Sequence, residues 1–325
     1  RRRRFLTGRV ALLSMPDISL PSRFTSGVIL AFFCSALSAE PEGFEQCLQS
    51  LQQQAVSQGV ARGSVEKIIP LLQYQQRVIE LDRSQPEFSQ SFADYFGERV
   101  SQNRIARGRK LYREYKEFLD ELAHVYGVPG QYLVSFWGLE TNFGSYLGGM
   151  PTLDSLATLA CDERRSEFFT EEFIVALQLL DRENLSPQQM KGSWAGAVGH
   201  TQFMPSNYLR YAIDGDGDGN IDLWHSKRDA LASAANFLNQ LGWQRDQRWG
   251  REVKLPADFD YALAAHERPL EEWRAAGLRK GDGSALPVVA GMNARLVIPA
   301  SHRGPVFLVY DNFEVIMRWN RSLSY

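Results

Sequence analysis

The chain has 325 residues, 44% hydrophobic and 23% charged, a balance that excludes a disordered or fibrous protein. Its net charge of −2 conceals an imbalance. The first 39 residues hold six arginines and a single acid, which leaves 30 basic and 37 acidic residues in the remainder; so acidic a remainder excludes general nucleic-acid binding, which needs a basic footprint.

Residues 1–39 read as a secretory address. Gly27 to Leu37 is an uncharged apolar run with Arg23 before it and the small residues Ser38 and Ala39 after it. This is the layout of an export signal, and the run is short for a membrane span. Met15 stands where such a signal would start, so residues 1–14 read as an over-extended N-terminus. The alternative is an uncleaved anchor. Phe33 before Cys34 argues against a lipoprotein. With Cys34 removed, Cys47 and Cys161 are the remaining cysteines, in a compartment that permits a disulfide. The alternative is two buried thiols.

Residues 40–125 read as an N-terminal helical region. Phe44, Leu48, Leu51 and Ala55 recur at helical spacing. Residues 92–126 predict one or two amphipathic helices, with Arg99, Arg104, Arg107, Arg109, Lys110 and Arg113 among the apolar positions. Those charges read as a solvated face; steering of an anionic polymer is the other reading.

A core spans 126–246. Gln131 to Leu139 is apolar on almost every side, which predicts a buried helix, with Gly144 as its C-cap. An amphipathic helix follows over 164–183. Ser186-Pro187 predicts another helix start, and 229–241 is helical. Residues 247–311 change texture. Strands are predicted at 251–255, 294–299 and 306–310, with Pro and Gly between them. Residues 312–325 return to helix, so the β-rich segment reads as an insertion in a helical core.

Three clusters carry chemistry. Glu140 is the only acid between Glu121 and Asp154. Burial and the negative end of its own helix both raise a carboxyl pKa. A carboxylic acid held protonated near neutrality is what glycosidic cleavage requires. Alternatively, Glu140 caps its helix or pairs with an arginine. The stretch Gly192 to Ser206 combines close-approach glycines with Ser193, Gln202 and aromatic faces suited to sugars; a packed turn is the alternative. Asp214, Asp216, Asp218, Gly219, Ile221 and Asp222 reproduce the first nine positions of an EF-hand loop, with Asn220 as a further oxygen donor. Position twelve is His225, so Asp229 would close a longer loop. An Asx-rich turn without metal is the alternative. His200 has no His or Cys at metal spacing.

These motifs together resemble the B-type lytic murein transglycosylases, membrane-bound and soluble. Trp137 to Gly144 looks like the family's catalytic-glutamate motif, Gly192 to Ser206 its glycine/Gln-Phe-Met-Pro-Ser motif, and Asp214 to Trp224 its metal loop. Asp311-Asn312-Phe313 through Trp319-Asn320-Arg321-Ser322 looks like its C-terminal signature. The resemblance implies a mainly α (α+β) fold: a lysozyme-like helical core, an added N-terminal helical region and a small β-rich insertion. It implies a periplasmic enzyme acting on peptidoglycan glycan strands. The β-1,4 bond between N-acetylmuramic acid and N-acetylglucosamine is cut, leaving 1,6-anhydromuramoyl ends. Glu140 is then acid and base in turn, without a second carboxylate. Tyr95, Ser193, Gln202, Asn320 and Tyr325 match cleft residues. Phe237 and Trp319 stand where relatives can have Tyr, so those hydroxyl contacts are expected to be missing. Ca²⁺ is the implied structural cofactor, with no organic cofactor. Cell-wall synthesis or remodelling proteins are the implied protein partners. A hydrolytic muramidase and a non-catalytic, calcium-dependent wall-binding protein are the alternatives.

Overall fold

The computed structural model describes residues 43–84, 91–300 and 304–325; the export signal, Cys34 and the extension before Met15 lie outside them. Helices dominate. The first three are α1 (Phe44–Ser57), α2 (Arg62–Ile68) and α3 (Gln76–Ser84). In α1 the buried residues are Phe44, Leu48, Leu51 and Ala55, the stripe read from sequence. They join one hydrophobic core with α8 (Thr152–Ala160), α9 (Ser166–Glu183) and α10 (Pro205–Tyr211). Cys47 on α1 is bonded to Cys161 at the end of α8, across 114 residues of sequence.

Residues 92–126 form three helices rather than one or two: α4 (Phe92–Arg99), α5 (Gln102–Glu114) and α6 (Lys116–Tyr126). The starts of the first two have local causes, while α6 follows α5 at Tyr115 without a side-chain cap. Ser91 and Ser101 cap α4 and α5, their hydroxyls accepting from Asp94 N and Arg104 N. Each serine holds an extended backbone and satisfies an orphan donor, so a new helix starts there. No α5 residue is fully buried, so that helix lies shallowly on its neighbour.

A second core joins α6, α7 (Gly130–Thr141) and α11 (Lys227–Gln240). Helix α7 buries Leu133, Val134, Phe136 and Trp137. It does not end on Gly144. Asn142 is the C-cap at φ 49°, followed by Phe143 at 58° and Gly144 at 74°. Three successive left-handed residues are costly for side chains with a Cβ. Side-chain contacts hold the turn: Arg104 Nε donates to Asn142 Oδ1 at 3.3 Å, and the Arg107 guanidinium lies over the Phe143 ring. Ser186-Pro187 does not start a helix. Gln189 Oε1 accepts from both the backbone N–H and hydroxyl of Ser186, closing a turn that leads into a short strand.

That strand is β2 (Lys191–Gly192), paired antiparallel with β1 (Met150–Pro151). The β-rich segment holds β3 (Gly250–Lys254), β4 (Arg268–Pro269), β5 (Arg279–Lys280), β6 (Asn293–Val297) and β7 (Val306–Val309), with the short helix α12 (Leu270–Ala275). Its strands form one antiparallel sheet in the order β4-β6-β7-β3-β5. Its core centres on Trp273, whose indole N–H donates to Ala294 O at 2.9 Å. Buried Asn312 joins the two chain crossings at its base. Its Oδ1 accepts from Gln244 N, and its Nδ2 donates to the carbonyls of Gln244 and Gln247. Helix α13 (Asp311–Trp319) then returns to the helical body. Helical structure stops at Trp319; Asn320 Oδ1 accepts from Ser322 N and starts the turned tail.

Candidate active site

Glu140 sits in the last turn of α7, and its Oε1 accepts two hydrogen bonds. Trp319 Nε1 and the Tyr325 hydroxyl each donate to it at 2.8 Å. Both donors come from the C-terminal segment, more than 175 residues away in sequence. Phe136, one turn back on α7, stacks on Trp319 at 4.6 Å and on Tyr325 at 5.9 Å. Phe203 and Phe237 pack on the other sides of the Trp319 ring. Aromatic packing therefore sets where the two donors stand, and the donors set the rotation of the carboxyl group.

Burial raises the Glu140 pKa above the usual carboxylate range. The bonds from Trp319 and Tyr325 and the charge of Arg99 pull it down without reversing the shift. The Tyr325 hydroxyl is pushed well above its ordinary range, first by burial and then by Glu140 itself, so it stays a donor. Oε2 accepts no hydrogen bond from the described residues, and the two donors on Oε1 favour the anionic form of the carboxyl group.

The underside of α7 is built around His200. Trp137 Nε1 donates to His200 Nδ1 at 3.1 Å, and Thr141 Oγ1 donates to the His200 carbonyl at 2.8 Å. With Nδ1 used as an acceptor and the ring buried, the imidazole stays neutral; its pKa is lowered from 6.5 to about 4, by burial first and Lys227 second. Gly144 is obligatory at this contact. A Cβ there would lie 2.1 Å from His200 Cε1. His200 therefore holds the turn after Glu140 in place.

The remaining cleft candidates are arranged less directly. Tyr95 is buried on α4 beneath the Arg99 guanidinium, and with Tyr325 it lines a cavity of about 390 Å³. Ser193 stands in the glycine-rich turn, where its Oγ accepts from Ala197 N. Gln202, at φ 51°, donates from Nε2 to the carbonyls of Leu147 and Gly199, which presents the amide edge of a fixed side chain. None of Ser193, Gln202, Asn320 or Tyr95 hydrogen-bonds Glu140. The Phe237 ring stacks on Tyr211 and packs against Phe203 and Trp319. Trp319 corrects the sequence reading: a hydroxyl is absent, but the indole N–H supplies a donor to Glu140. Arg99, read as part of a solvated face or of a surface that steers an anionic polymer, stands close enough to influence Glu140. An acid-free run from Arg99 to Arg113 was the available signal.

The acidic loop is organised by its own backbone. Asp214 accepts from the N–H groups of Gly217 and Gly219 at 2.7 and 2.8 Å, and Asp218 from Asn220 N. Asp222 accepts from Trp224 N and His225 N. Asp229 on α11 is buried beneath the loop and ties it down, accepting from Gly215 N and Asp222 N. One carboxylate oxygen each of Asp214, Asp216 and Asp229 lie within 4.8 Å of one another. Asp218, Asn220 and Asp222 stand outside that trio. Burial, with Asp216 adding to it, pushes the Asp229 pKa up. Hard oxygen donors with excess negative charge at this separation fit a divalent cation of calcium type.

The transglycosylase SLT domain family matches residues 43–325. Membrane-bound lytic murein transglycosylase B of Escherichia coli K12 is 39% identical over 232 residues, 70% of this chain and 62% of that protein; the match thus spans less than two thirds of the relative. Among solved structures, SltB3 of Pseudomonas aeruginosa in complex with NAG-NAM-pentapeptide superposes with a TM-score of 0.82 at 40% identity, covering 87% of this chain and 77% of that one. Escherichia coli lytic transglycosylase Slt35 in complex with calcium gives a TM-score of 0.74 at 29% identity, covering 86% and 88%. The mainly helical fold with its small sheet is of the lysozyme-like class that these structures share.

Proposed function

The chain belongs to the transglycosylase SLT domain family, and from that premise we propose that it cleaves peptide-bearing peptidoglycan glycan strands between N-acetylmuramic acid and N-acetylglucosamine, with Glu140 as sole acid and base. The observation that carries the reading is the Glu140 carboxyl, its pKa raised by burial and one of its oxygens held by two donors. The carboxyl proton passes to the glycosidic oxygen as that bond breaks. The carboxylate then takes the proton of the muramoyl 6-hydroxyl, whose oxygen closes on C1. One proton leaves Glu140 and one returns, the product is the 1,6-anhydro ring, and no water is consumed. The substrate's own N-acetyl group supports the positive charge at C1, so a second carboxylate is not required. Trp319 and Tyr325 position the carboxyl, while Tyr95, Ser193, Gln202 and Asn320 line the path of the strand.

Asp214, Asp216 and Asp229 would hold Ca²⁺, with Asp218, Asn220 and Asp222 as further ligands once the loop closes. The ion would supply rigidity rather than chemistry. Action on peptidoglycan supports a periplasmic location, and the Escherichia coli relative is named as membrane-bound. Among the described residues no helix is long and apolar enough to cross one.

Mass spectrometry of digested sacculi tests the reaction. Anhydromuramoyl ends are expected. Reducing ends alone would replace the proposal with a hydrolytic muramidase. Sacculus binding without turnover would leave a calcium-dependent wall-binding protein.

A further inference from the structure

We propose that cation binding in the acidic loop and strand binding at Glu140 are coupled, each tightening the other, with Ile221, Leu223 and Trp224 as the positioning residues that carry the coupling. The inference rests on the calcium site and the glycan cleft proposed above, and it extends the ion's effect from the loop to the cleft.

The chain that leaves the acidic loop is the wall on which the glycine-rich turn is built. Asp222 is clamped there, its N–H donating to Asp229 Oδ2 at 2.8 Å and its carbonyl accepting from Ser226 N at 3.0 Å. The residues on either side of it reach α10, the glycine-rich turn and β2. The Ile221 carbonyl accepts from the Tyr208 hydroxyl on α10 at 2.7 Å. The Leu223 carbonyl accepts from His200 N at 2.9 Å. Trp224 Nε1 donates at 2.7 Å to the carbonyl of Lys191, which is on β2 just before Gly192 and Ser193.

The Leu223 contact has no slack. Leu223 is fully buried, and a Cβ on Gly199 would stand 2.5 Å from the Leu223 carbonyl oxygen. Close packing of this kind transmits a displacement instead of absorbing it. A shift of Leu223 therefore moves Gly199 and His200. Gln202 bonds to the Gly199 carbonyl, and His200 meets α7 at Trp137 and Thr141. The shift thus reaches both a cleft side chain and the turn that follows Glu140.

The entry side of the loop leads to the same centre. Tyr211, just before Ile213 and Asp214, stacks on Phe237 at 4.6 Å, and Phe237 packs on Trp319, a donor to Glu140. Asp214, Asp216 and Asp229 bring carboxylate oxygens within 4.8 Å of one another. Their repulsion opposes closure of the loop until a cation offsets it. Closure then acts on the cleft from both ends of the loop.

The test uses the Glu140→Gln protein, stripped of cations and held well below its melting temperature, so that strands bind without being cut. Calorimetry measures calcium binding with and without soluble, peptide-free glycan strands, and strand binding with and without calcium. Strands are expected to lower the calcium Kd about fivefold, and calcium to lower the strand Kd by the same factor, because coupling is reciprocal. Trp224→Phe in that background keeps the ring and loses the bond to Lys191. It should reduce the factor to about twofold and leave the calcium Kd without strands unchanged. Adding Tyr208→Phe, which removes the bond to Ile221, should reduce it further. Ser64→Ala, which removes a hydroxyl bond to Asp181 outside these contacts, should leave the factor unchanged. An ion that serves stability alone gives no coupling in the Glu140→Gln protein; that result overturns the proposal and leaves the calcium site and the cleft standing. Coupling that survives undiminished in the Trp224→Phe/Tyr208→Phe protein overturns the route through residues 221–224. A flat calcium titration overturns the calcium site and the coupling together.

Discussion

Glu140 ends a helix and the acids of residues 214–229 fill a loop and the helix start after it, and the two sets of carboxylates are held in opposite ways. Glu140 has no local polar partner. Its two donors arrive from the C-terminal segment and are steered by rings of α7, α13 and the tail. The loop acids bond mostly to backbone N–H groups within a few residues of themselves, and Asp229 and the Ser226 hydroxyl on Asp216 tie the loop to the start of α11. The difference follows from the tasks proposed for them. A general acid must keep its proton, so it needs a dry site that only distant chain segments can enclose. A cation site must gather negative charge, and local backbone donors can do that before any ion arrives.

Replacing the carboxyl without changing its shape separates the two regions most sharply. Glu140→Gln should lower turnover by about a thousandfold or more while leaving the melting temperature near that of the wild type; strand cleavage near the wild-type rate would remove Glu140 from the mechanism. Acidification comes next. The folded protein holds His200 neutral with a pKa of about 4, against 6.5 when exposed. The unfolded chain therefore binds the proton first as pH falls. Stability attached to neutral His200 is complete above pH 6.5 and is lost as pH falls to 4, about 3 kcal/mol in all. Urea unfolding across that range should show the loss in the wild type and a flatter dependence in His200→Gln.

Asp229→Asn probes the loop. The amide keeps one acceptor for the two N–H groups of Gly215 and Asp222, so a cost of about 2 kcal/mol is expected. Calorimetry should show a lower melting temperature and no rise on adding calcium, whereas calcium should raise that of the stripped wild type. A calcium response that survives in Asp229→Asn would place the ion elsewhere. The smallest expected effect is that of Trp319→Phe, about tenfold in kcat or roughly 1.4 kcal/mol. Losing a donor to Oε1 raises the Glu140 pKa, so the alkaline limb of the pH–rate profile should move to higher pH. Trp319→Tyr retains a donor and should restore part of both. A fall in kcat with an unmoved limb would mean that Trp319 acts through packing alone.

Much of this was legible in sequence where the cause was local. The α1 stripe, the apolar α7, the main strands of the insertion and the spacing of the Asp-rich loop follow from side-chain period and turn chemistry. The misreadings have causes of both kinds, local and tertiary. The Ser101 cap and the break at Tyr115 divided a stretch that read as fewer helices, and the glutamine at 189 turned Ser186-Pro187 into a closed turn. The C-cap moved from Gly144 to Asn142 because Arg104, from another helix, holds the asparagine side chain.

By itself the sequence determined that Glu140 ends an apolar helix and that acids crowd around residue 218, because both are properties of neighbouring residues. Tertiary structure decided which oxygen of Glu140 receives both donors, that an indole supplies one of them where a missing hydroxyl contact was expected, and that His200 braces the turn beyond it. Those outcomes depend on segments brought together across 60 to 185 residues. Hydrogen bonding is directional and short-ranged, so no pattern along the chain can reveal it until packing has brought donor and acceptor within about 3 Å.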